Sequence, residues 1–489
     1  MLLLTTSCAV GPDFERPAAP SVQGYTPEKL PAQTAASDTA AGEAQRFVQD
    51  QDIPGEWWSL FHSESLNALI EQALQANPSL QAAQAALREA QENAKAAEGV
   101  FYPDIGGSFS KSREKASPAS VGFNGPPTIF SLNTASVSVS YPLDVFGGER
   151  REVESLEAQT DFERFQLDAA YVTLTSNLVA ACVQEASLRA QIAATGEIID
   201  AESAQLSVLQ RQFELGGASK TALLAQDATL AQARATLPPL QKQLAQQRHA
   251  LAVLAGRPPG EALDQKFDLA TLQLPQELPV SLPSKLVEQR PDVRASEAQL
   301  HSASAQIGVA TANMLPQLTL TGSIGSSATQ IGDLFSPGTG IWSVAAGLTQ
   351  PIFEGGTLLH KKRAAVAAYD QAAAQYRNTV LLAFQNVADA LRALQSDADA
   401  LNAQTAAERS AADSLDLERQ QFKLGAISYT SLLDAERTYQ QARIGLVQAQ
   451  ASRFTDTAAL FQALGGGWWN HADVAAQGDK PPPAAGGAK

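Results

Sequence analysis

Few side chains in this 489-residue chain stand at spacings that support covalent or acid–base chemistry. The two cysteines, Cys8 and Cys182, are too few for a disulfide framework or a thiolate zinc site. The five histidines show no HxxxH or HExxH spacing, which argues against a histidine metal centre. Phosphate-binding loops, GxSxG and dinucleotide fingerprints are all missing. Asp397 and Asp399 are paired acids in a polar helical stretch, which predicts a solvated face. His301 reads as structural or exposed. The position set up for modification is Cys8. Three leucines and then small residues precede it, as in the recognition sequence of bacterial lipoproteins, although Thr5 stands where Leu is usual and no basic segment comes first. A full export signal runs about 15–30 residues, so residues 1–8 read as a partial signal whose true start lies upstream. The expectation is a covalent lipid on Cys8, with an ordinary thiol as the alternative. No catalytic residue, metal or other cofactor is expected.

Composition narrows the class further. The net charge is −16, and clustered Lys and Arg are what phosphate backbones require, so nucleic acid is excluded as a partner. Only 18% of residues are charged, against about a quarter in an average soluble domain. No apolar run approaches the ~18 residues of a membrane helix. A β-barrel needs no such run.

An internal repeat organises the chain. Gln212-Phe213-Glu214-Leu215-Gly216 recurs as Gln421-Phe422-Lys423-Leu424-Gly425, an offset of 209. The same offset aligns Leu223-Leu224 with Leu432-Leu433, Gln232-Ala233-Arg234 with Gln441-Ala442-Arg443, and Gly256 with Gly465. Upstream, Asn77-Pro78 pairs with Arg290-Pro291 and Tyr102-Pro103 with Leu315-Pro316 at offset 213, as a differing loop length would produce. The predicted organisation is a Pro/Ala/Thr/Gln-rich extended or disordered leader (9–52), repeat 1 (53–262), repeat 2 (263–469) and a disordered tail (470–489).

Each repeat reads in one order. A helix broken at its proline comes first, followed by period-two alternation in a hairpin, 102–142 or 315–351. Ile105, Phe109, Val137, Val139 and Tyr141 alternate with Ser and Gly; Leu318, Leu320, Ile324, Trp342, Val344 and Leu348 alternate mainly with Ser, Thr and Ala. Pro142 and Pro351 end the second strands. Helical hairpins follow at 148–256 and 357–464. Their first arms are each 67 residues long, or about 100 Å. One apolar stripe runs through Leu167, Tyr171, Leu174, Leu178, Ala181, Leu188 and Ile192, with Glu185 as a fault.

Four strands per chain cannot close a barrel, since the smallest membrane barrels have about eight. Open edges in a bilayer leave unpaired backbone groups costing several kcal/mol each, so such a sheet obliges oligomerisation. A soluble sandwich would need a second sheet, which long helices do not supply. The fold class expected is therefore a membrane β-barrel joined to a long α-helical barrel, built from two tandem repeats.

These residues resemble the TolC-like outer membrane factors, the exit ducts of Gram-negative efflux and type I secretion systems. The resemblance covers residues 8 to about 469. It rests on the Cys8-Ala9-Val10-Gly11-Pro12-Asp13-Phe14 start typical of the lipoprotein branch, the prolines of each strand pair and the two QFxLG turns. Ser431-Leu432-Leu433-Asp434-Ala435 and the closing Ala463-Leu464-Gly465-Gly466-Gly467-Trp468 complete it. It implies a homotrimer with a 12-stranded barrel in outer-membrane lipid and a 12-helix periplasmic tunnel. Residues around 53–62, 257–285 and the chain's end would form an equatorial belt. It also implies partnership with a periplasmic adaptor and an inner-membrane transporter of the resistance-nodulation-division type. Small-molecule export is favoured over protein secretion.

Residue by residue, the resemblance places Leu215-Gly216-Gly217 and Leu424-Gly425-Ala426 at the periplasmic tip, facing the adaptor, although glycine there also permits a helix C-cap. Asp434 matches the position whose threefold copies ring the closed entrance, with Arg437 as a neutralising neighbour. An Asp near a helix start also favours the helix dipole on its own account. Ser431 stands where some relatives carry a second acid. Pro103, Pro142, Pro316 and Pro351 mark the barrel-to-helix junctions. The rival class is a periplasmic adaptor or coiled-coil lipoprotein, which would carry one helical hairpin rather than two.

Overall fold

The computed structural model describes residues 9–22, 24–117, 125–261 and 263–471; Cys8 and residues 472–489 lie outside them. The elements run β1 (Arg46–Gln49), α1 (Glu64–Ala76), α2 (Pro78–Glu98), β2 (Asp104–Ala116), β3 (Thr128–Leu143), α3 (Gly148–Glu214) and α4 (Lys220–Leu254). Then come β4 (Glu277–Val280), α5 (Pro283–Gln289), α6 (Pro291–Ala312), β5 (Gln317–Ala328), β6 (Gly340–Thr349), α7 (Thr357–Lys423) and α8 (Tyr429–Ala463). Two compact units form.

The first unit gathers Met1–Pro17, Ala86–Glu163 and Ala295–Arg377. Its sheet is antiparallel throughout, in the order β2-β3-β5-β6, so β2 and β6 are edges. Register follows the period-two pattern. Ile105 pairs with Val139, Val137 with Ile324, and Ile324 with Trp342, all on one face. On the other face Ser108 meets Ser136 at 3.1 Å, Thr134 meets Ser327 at 3.1 Å and Ser323 meets Ser343 at 2.8 Å. Hydroxyl ladders of this kind line one face while the apolar face stays bare: Ile105 is 68% exposed, Trp342 78% and Val344 79%. Pro142 does not end its strand. β3 runs to Leu143, with Pro142 opposite Thr319. β2's register stops at Ser140, so β3 has a partner on one side only there, where a residue without an N–H is tolerated. Pro103, Pro316 and Pro351 flank the strands as junction residues.

The second unit gathers Ala18–Ala85, Arg164–Arg294 and Asn378–Lys489. Here the duplicated sequence becomes duplicated geometry. Asn77 Nδ2 donates to Leu254 O at 2.9 Å, and Arg290 Nη1 donates to Ala463 O at 3.0 Å. Each residue breaks its repeat's first helix just before a proline and caps the end of the return helix. Gly256 and Gly465 follow those ends with φ of +74° and +98°. A Cβ on Gly256 would lie 2.4 Å from Ala76 O, and one on Gly465 2.6 Å from Gln289 O, so both positions require glycine twice over. An aromatic cluster fills this region, with Trp57 stacked on Phe461 at 5.1 Å. Glu185, the fault in the apolar stripe, is 1% exposed and held by Arg189 at 2.6 Å and Arg248 at 2.9 Å.

Three further expectations need correction. The leader is not a loose segment: β1 pairs parallel with β4, and Thr34, Ala41, Gln45 and Phe47 are buried. The tail does not begin at residue 470, because Asn470 Nδ2 donates to Asp52 Oδ2 and Ile53 O, both at 2.8 Å. Asp397 is not part of a solvated face. It is half-buried against Asp456, and burial first, then that neighbouring acid, push its carboxyl up to about 7 against the pull of Arg453. Asp399 is exposed. His301 stacks on Phe14 at 4.3 Å and meets Glu154 Oε1 at 3.0 Å, a structural role.

Candidate functional site

Both long arms end in the same hydrogen-bonded turn. In the first, Gly216 N donates to Phe213 O at 3.0 Å and Gly217 N to Gln212 O at 2.7 Å. In the second, Gly425 N donates to Phe422 O and Ala426 N to Gln421 O, both at 2.9 Å. These paired bonds are Schellman caps, with glycine at the left-handed position: φ is +74° at Gly216 and +73° at Gly425. Serine then starts each return helix. Ser219 Oγ accepts from Ala222 N at 3.1 Å and Ser428 Oγ from Ser431 N at 3.2 Å. The QFxLG repeat is thus a C-cap followed three residues later by an N-cap, which turns a helix back in about five residues. Leu215 is 87% exposed and Leu424 83%, and no atom comes within 4 Å of a Cβ built on Gly216 or Gly425. The turns offer backbone and two bare leucines to solvent.

Asp434 lies on the exposed face of α8 with Ser431 and Arg437, while Leu432, Leu433, Ala435 and Glu436 point inward. Among the described residues no ion pair joins Asp434 to Arg437. Arg437 instead acts at a distance on Glu202.

Two buried acids lie beneath this face. Glu202 of α3 accepts from Gln226 Nε2 of α4 at 2.5 Å and from Gln440 Nε2 of α8 at 3.0 Å, so it ties one helical hairpin to the other. Glu436, 5% exposed, sits on the same seam with Arg419 of α7 at 3.9 Å. Burial first, and then the charge of Glu202, push the Glu436 carboxyl up to about 7, while Arg419 pulls the other way. Glu202 is raised too, mainly by burial, against its two amide donors, Arg419 and Arg437. The only available signal was an acid inside an apolar stripe, as at Glu185.

A carboxyl whose folded pKa lies above its ordinary value of 4.5 makes the packed state bind more protons than the open one, so the seam loses stability as pH rises from 4.5 through 7. Opening of this seam, read as hydrogen exchange corrected for its intrinsic pH dependence, is expected to become more frequent from pH 5.5 to pH 8. Glu436→Gln should flatten that dependence; an unchanged slope would show that Glu436 is not the titrating group.

A sequence profile described as "Outer membrane efflux protein" matches residues 69–257 and 282–466, one segment for each repeat. The chain belongs to the outer membrane efflux protein family. It is 29% identical over 472 residues to the probable efflux pump outer membrane protein TtgC of Pseudomonas putida, covering 96% of this chain and 95% of that protein. It is 27% identical to the cation efflux system protein CusC of Escherichia coli, covering 95% and 97%. Among solved structures, the outer-membrane channel OprN superposes with a TM-score of 0.84 at 26% identity, over 94% of this chain and all of that one. The open state of the Neisseria gonorrhoeae MtrE outer membrane channel gives 0.79 at 27% identity, over 96% and 100%. The TolC-like fold and the outer-membrane efflux role follow, and the family is one of channels rather than enzymes.

Proposed function

We propose that three copies of this chain close one 12-stranded barrel and conduct small molecules passively out of the periplasm. The observation that carries this reading is a four-stranded sheet with two unpaired edges, a bare apolar face and a hydroxyl-lined opposite face. Pairing β6 of one copy with β2 of the next removes every edge and leaves the hydroxyls lining a water-filled passage. Its partners are a periplasmic adaptor, which meets the Leu215–Gly217 and Leu424–Ala426 turns, and an inner-membrane pump of the resistance-nodulation-division type. Relatives are named for toluene efflux, pyoverdine export and cation efflux. Such different cargoes on one fold support a duct with little selectivity of its own, with specificity residing in the pump.

Cys8 is proposed to carry the acyl anchor. The neighbouring Ala9 supports this: it packs against Gly147, where a Cβ would lie 2.6 Å from the Ala9 Cα, and Val10 N donates to Phe146 O at 2.9 Å. The chain following Cys8 is therefore pinned at the β3–α3 junction, where a strand leaves the bilayer. Cys8→Ser should abolish metabolic labelling by fatty acid.

Asp434 is proposed to ring the entrance in threefold copies, where facing carboxylates favour cations and repel one another. The test combines native mass spectrometry with planar-bilayer recording. Three chains per particle are expected, and Asp434→Ala should raise the conductance or relieve cation block several-fold. A stable monomer in detergent-free buffer would end the barrel reading, and unchanged cation behaviour would remove Asp434 from the gate.

A further inference from the structure

The bare face of the sheet is not uniformly apolar. On β2 the residues sharing the outward face are Ile105, Gly107 and Phe109, and then Lys111, Arg113 and Lys115. Their cross-strand partners on that face are Asn133, Ser131 and Ile129, none of which is acidic. The one acid nearby, Glu114, belongs to the opposite face, where Ser112 Oγ donates to it at 3.0 Å. Charge is thus sorted by side: three cations outward, one anion inward. All three basic residues are exposed, and none has an ion-pair partner among the described residues. In a chain of net charge −16 such a row is not a compositional accident of basic sequence.

The second hairpin provides an internal control. At the offset that aligns the two repeats, the corresponding residues are Ile324, Ser326 and Ala328. Duplication therefore does not explain the cations, and the first hairpin alone acquired or kept them.

Depth along the strand identifies what they meet. At the helix end of the sheet, Phe101, Tyr102, Ile352 and Phe353 are exposed, Ile352 by 94% and Phe353 by 87%, as at a bilayer interface. From Leu143 to Ala135, β3 covers about 27 Å of strand, or roughly 20 Å of depth at the usual tilt, close to the apolar band of an outer-membrane barrel. Lys111 stands opposite the next outward residue, Asn133. The helices leave the other end of the sheet, so the basic row rises on the side away from the periplasm.

We propose that Lys111, Arg113 and Lys115 form a strip that binds the phosphate-bearing headgroups of lipids in the outer leaflet. Successive outward residues on a strand lie about 6.8 Å apart, so three cations span neighbouring phosphates rather than crowd one. The strip rests on the outer-membrane channel reading, under which three copies would place nine cations around the barrel's exterior.

The test reconstitutes the full chain in nanodiscs offered bisphosphorylated lipid A together with its dephosphorylated form, and reads the retained lipid by native mass spectrometry. At about a fivefold gain per basic residue near a phosphate-rich surface, the unsubstituted chain should retain the phosphorylated lipid roughly a hundredfold better. The preference should fall with added salt. The combined Lys111→Gln, Arg113→Gln, Lys115→Gln variant should bring the ratio near parity, while Glu114→Gln should leave it unchanged. Gly340→Lys, which adds a cation to the exposed outward face of β6 where no atom lies within 4 Å of a Cβ, should raise retention, and it reads the same property if the triple variant fails to assemble. Equal retention of both lipids by the unsubstituted chain, or a preference surviving in the triple variant, would overturn the strip. Conductance is recorded on the same samples: a conducting channel without lipid preference refutes the strip alone, whereas a chain that neither conducts nor oligomerises refutes the channel.

Discussion

Arg453→Ala is expected to lower the stability of the second unit by about 3–5 kcal/mol and to release the leader to protease. Arg453 is 1% exposed. Its Nη1 donates to Ala41 O at 2.6 Å, and its Nη2 donates to Glu43 O and Gln45 Oε1 at 3.0 Å and to Thr34 Oγ1 at 3.3 Å. Gln45 in turn donates to Pro275 O and Thr457 Oγ1, both at 3.0 Å. One guanidinium thus fastens residues 34–45 onto α8 and the segment before β4. Truncation takes this donor from the buried Ala41 O and Gln45 Oε1 and removes the cation that offsets Asp397 beside Asp456. Arg453→Lys keeps the charge but cannot reproduce the planar fork, so an intermediate loss is expected. The measurement is limited proteolysis of residues 34–49 alongside thermal unfolding in detergent. A leader as resistant in Arg453→Ala as in the unsubstituted chain would show that β1–β4 pairing alone holds it.

What the sequence reveals and what it conceals divide along the range of the interactions. Strand faces, helix breaks at Asn77-Pro78 and Arg290-Pro291, and the QFxLG turns are set by residues a few positions apart, so period and turn chemistry expose them. The duplication reinforces each reading by giving it twice. The leader hides because its partners lie hundreds of residues away. Arg46-Phe47-Val48-Gln49 is too short to announce a strand, and a Pro- and Ala-rich stretch looks the same whether or not Arg453 grips it. A signal did exist in α8. Leu446, Arg453, Thr457, Leu460 and Leu464 recur at spacings of seven, four, three and four, and all five are buried, so the helix and its C-cap carry an inward stripe in which Arg453 is the anomaly. Glu436 stands among the buried Leu432, Leu433 and Ala435 in the same way. Glu185, legible as a fault, proved to be a buried acid held by two arginines. A charge on an apolar stripe is best treated as a pointer to a distant partner.

Gly425→Trp is expected to cut efflux by more than tenfold while trimers still assemble and conduct. Two roles meet at this residue, and they predict different responses. As a C-cap, Gly425 needs a left-handed φ of +73°, which costs an ordinary side chain about 1–2 kcal/mol at a single helix end. No neighbour lies within 4 Å of a Cβ there, so an indole has room and the chain can fold around the strain. As part of an adaptor-facing surface, the same residue must stay small, because a partner approaching the backbone beside the exposed Leu424 meets the indole first. Gly425→Asn separates the two roles. Asparagine tolerates the left-handed region and keeps the cap, and its side chain is short. A capping role alone predicts a small stability loss for Trp and normal efflux in both variants. The docking role predicts loss with Trp and retention with Asn, read as drug accumulation in cells and checked against single-channel conductance of the purified protein. Gly216→Trp, at the matching turn of the first repeat, measures whether the two turns share the contact equally. Efflux surviving in both Trp variants would leave these glycines with a conformational role only.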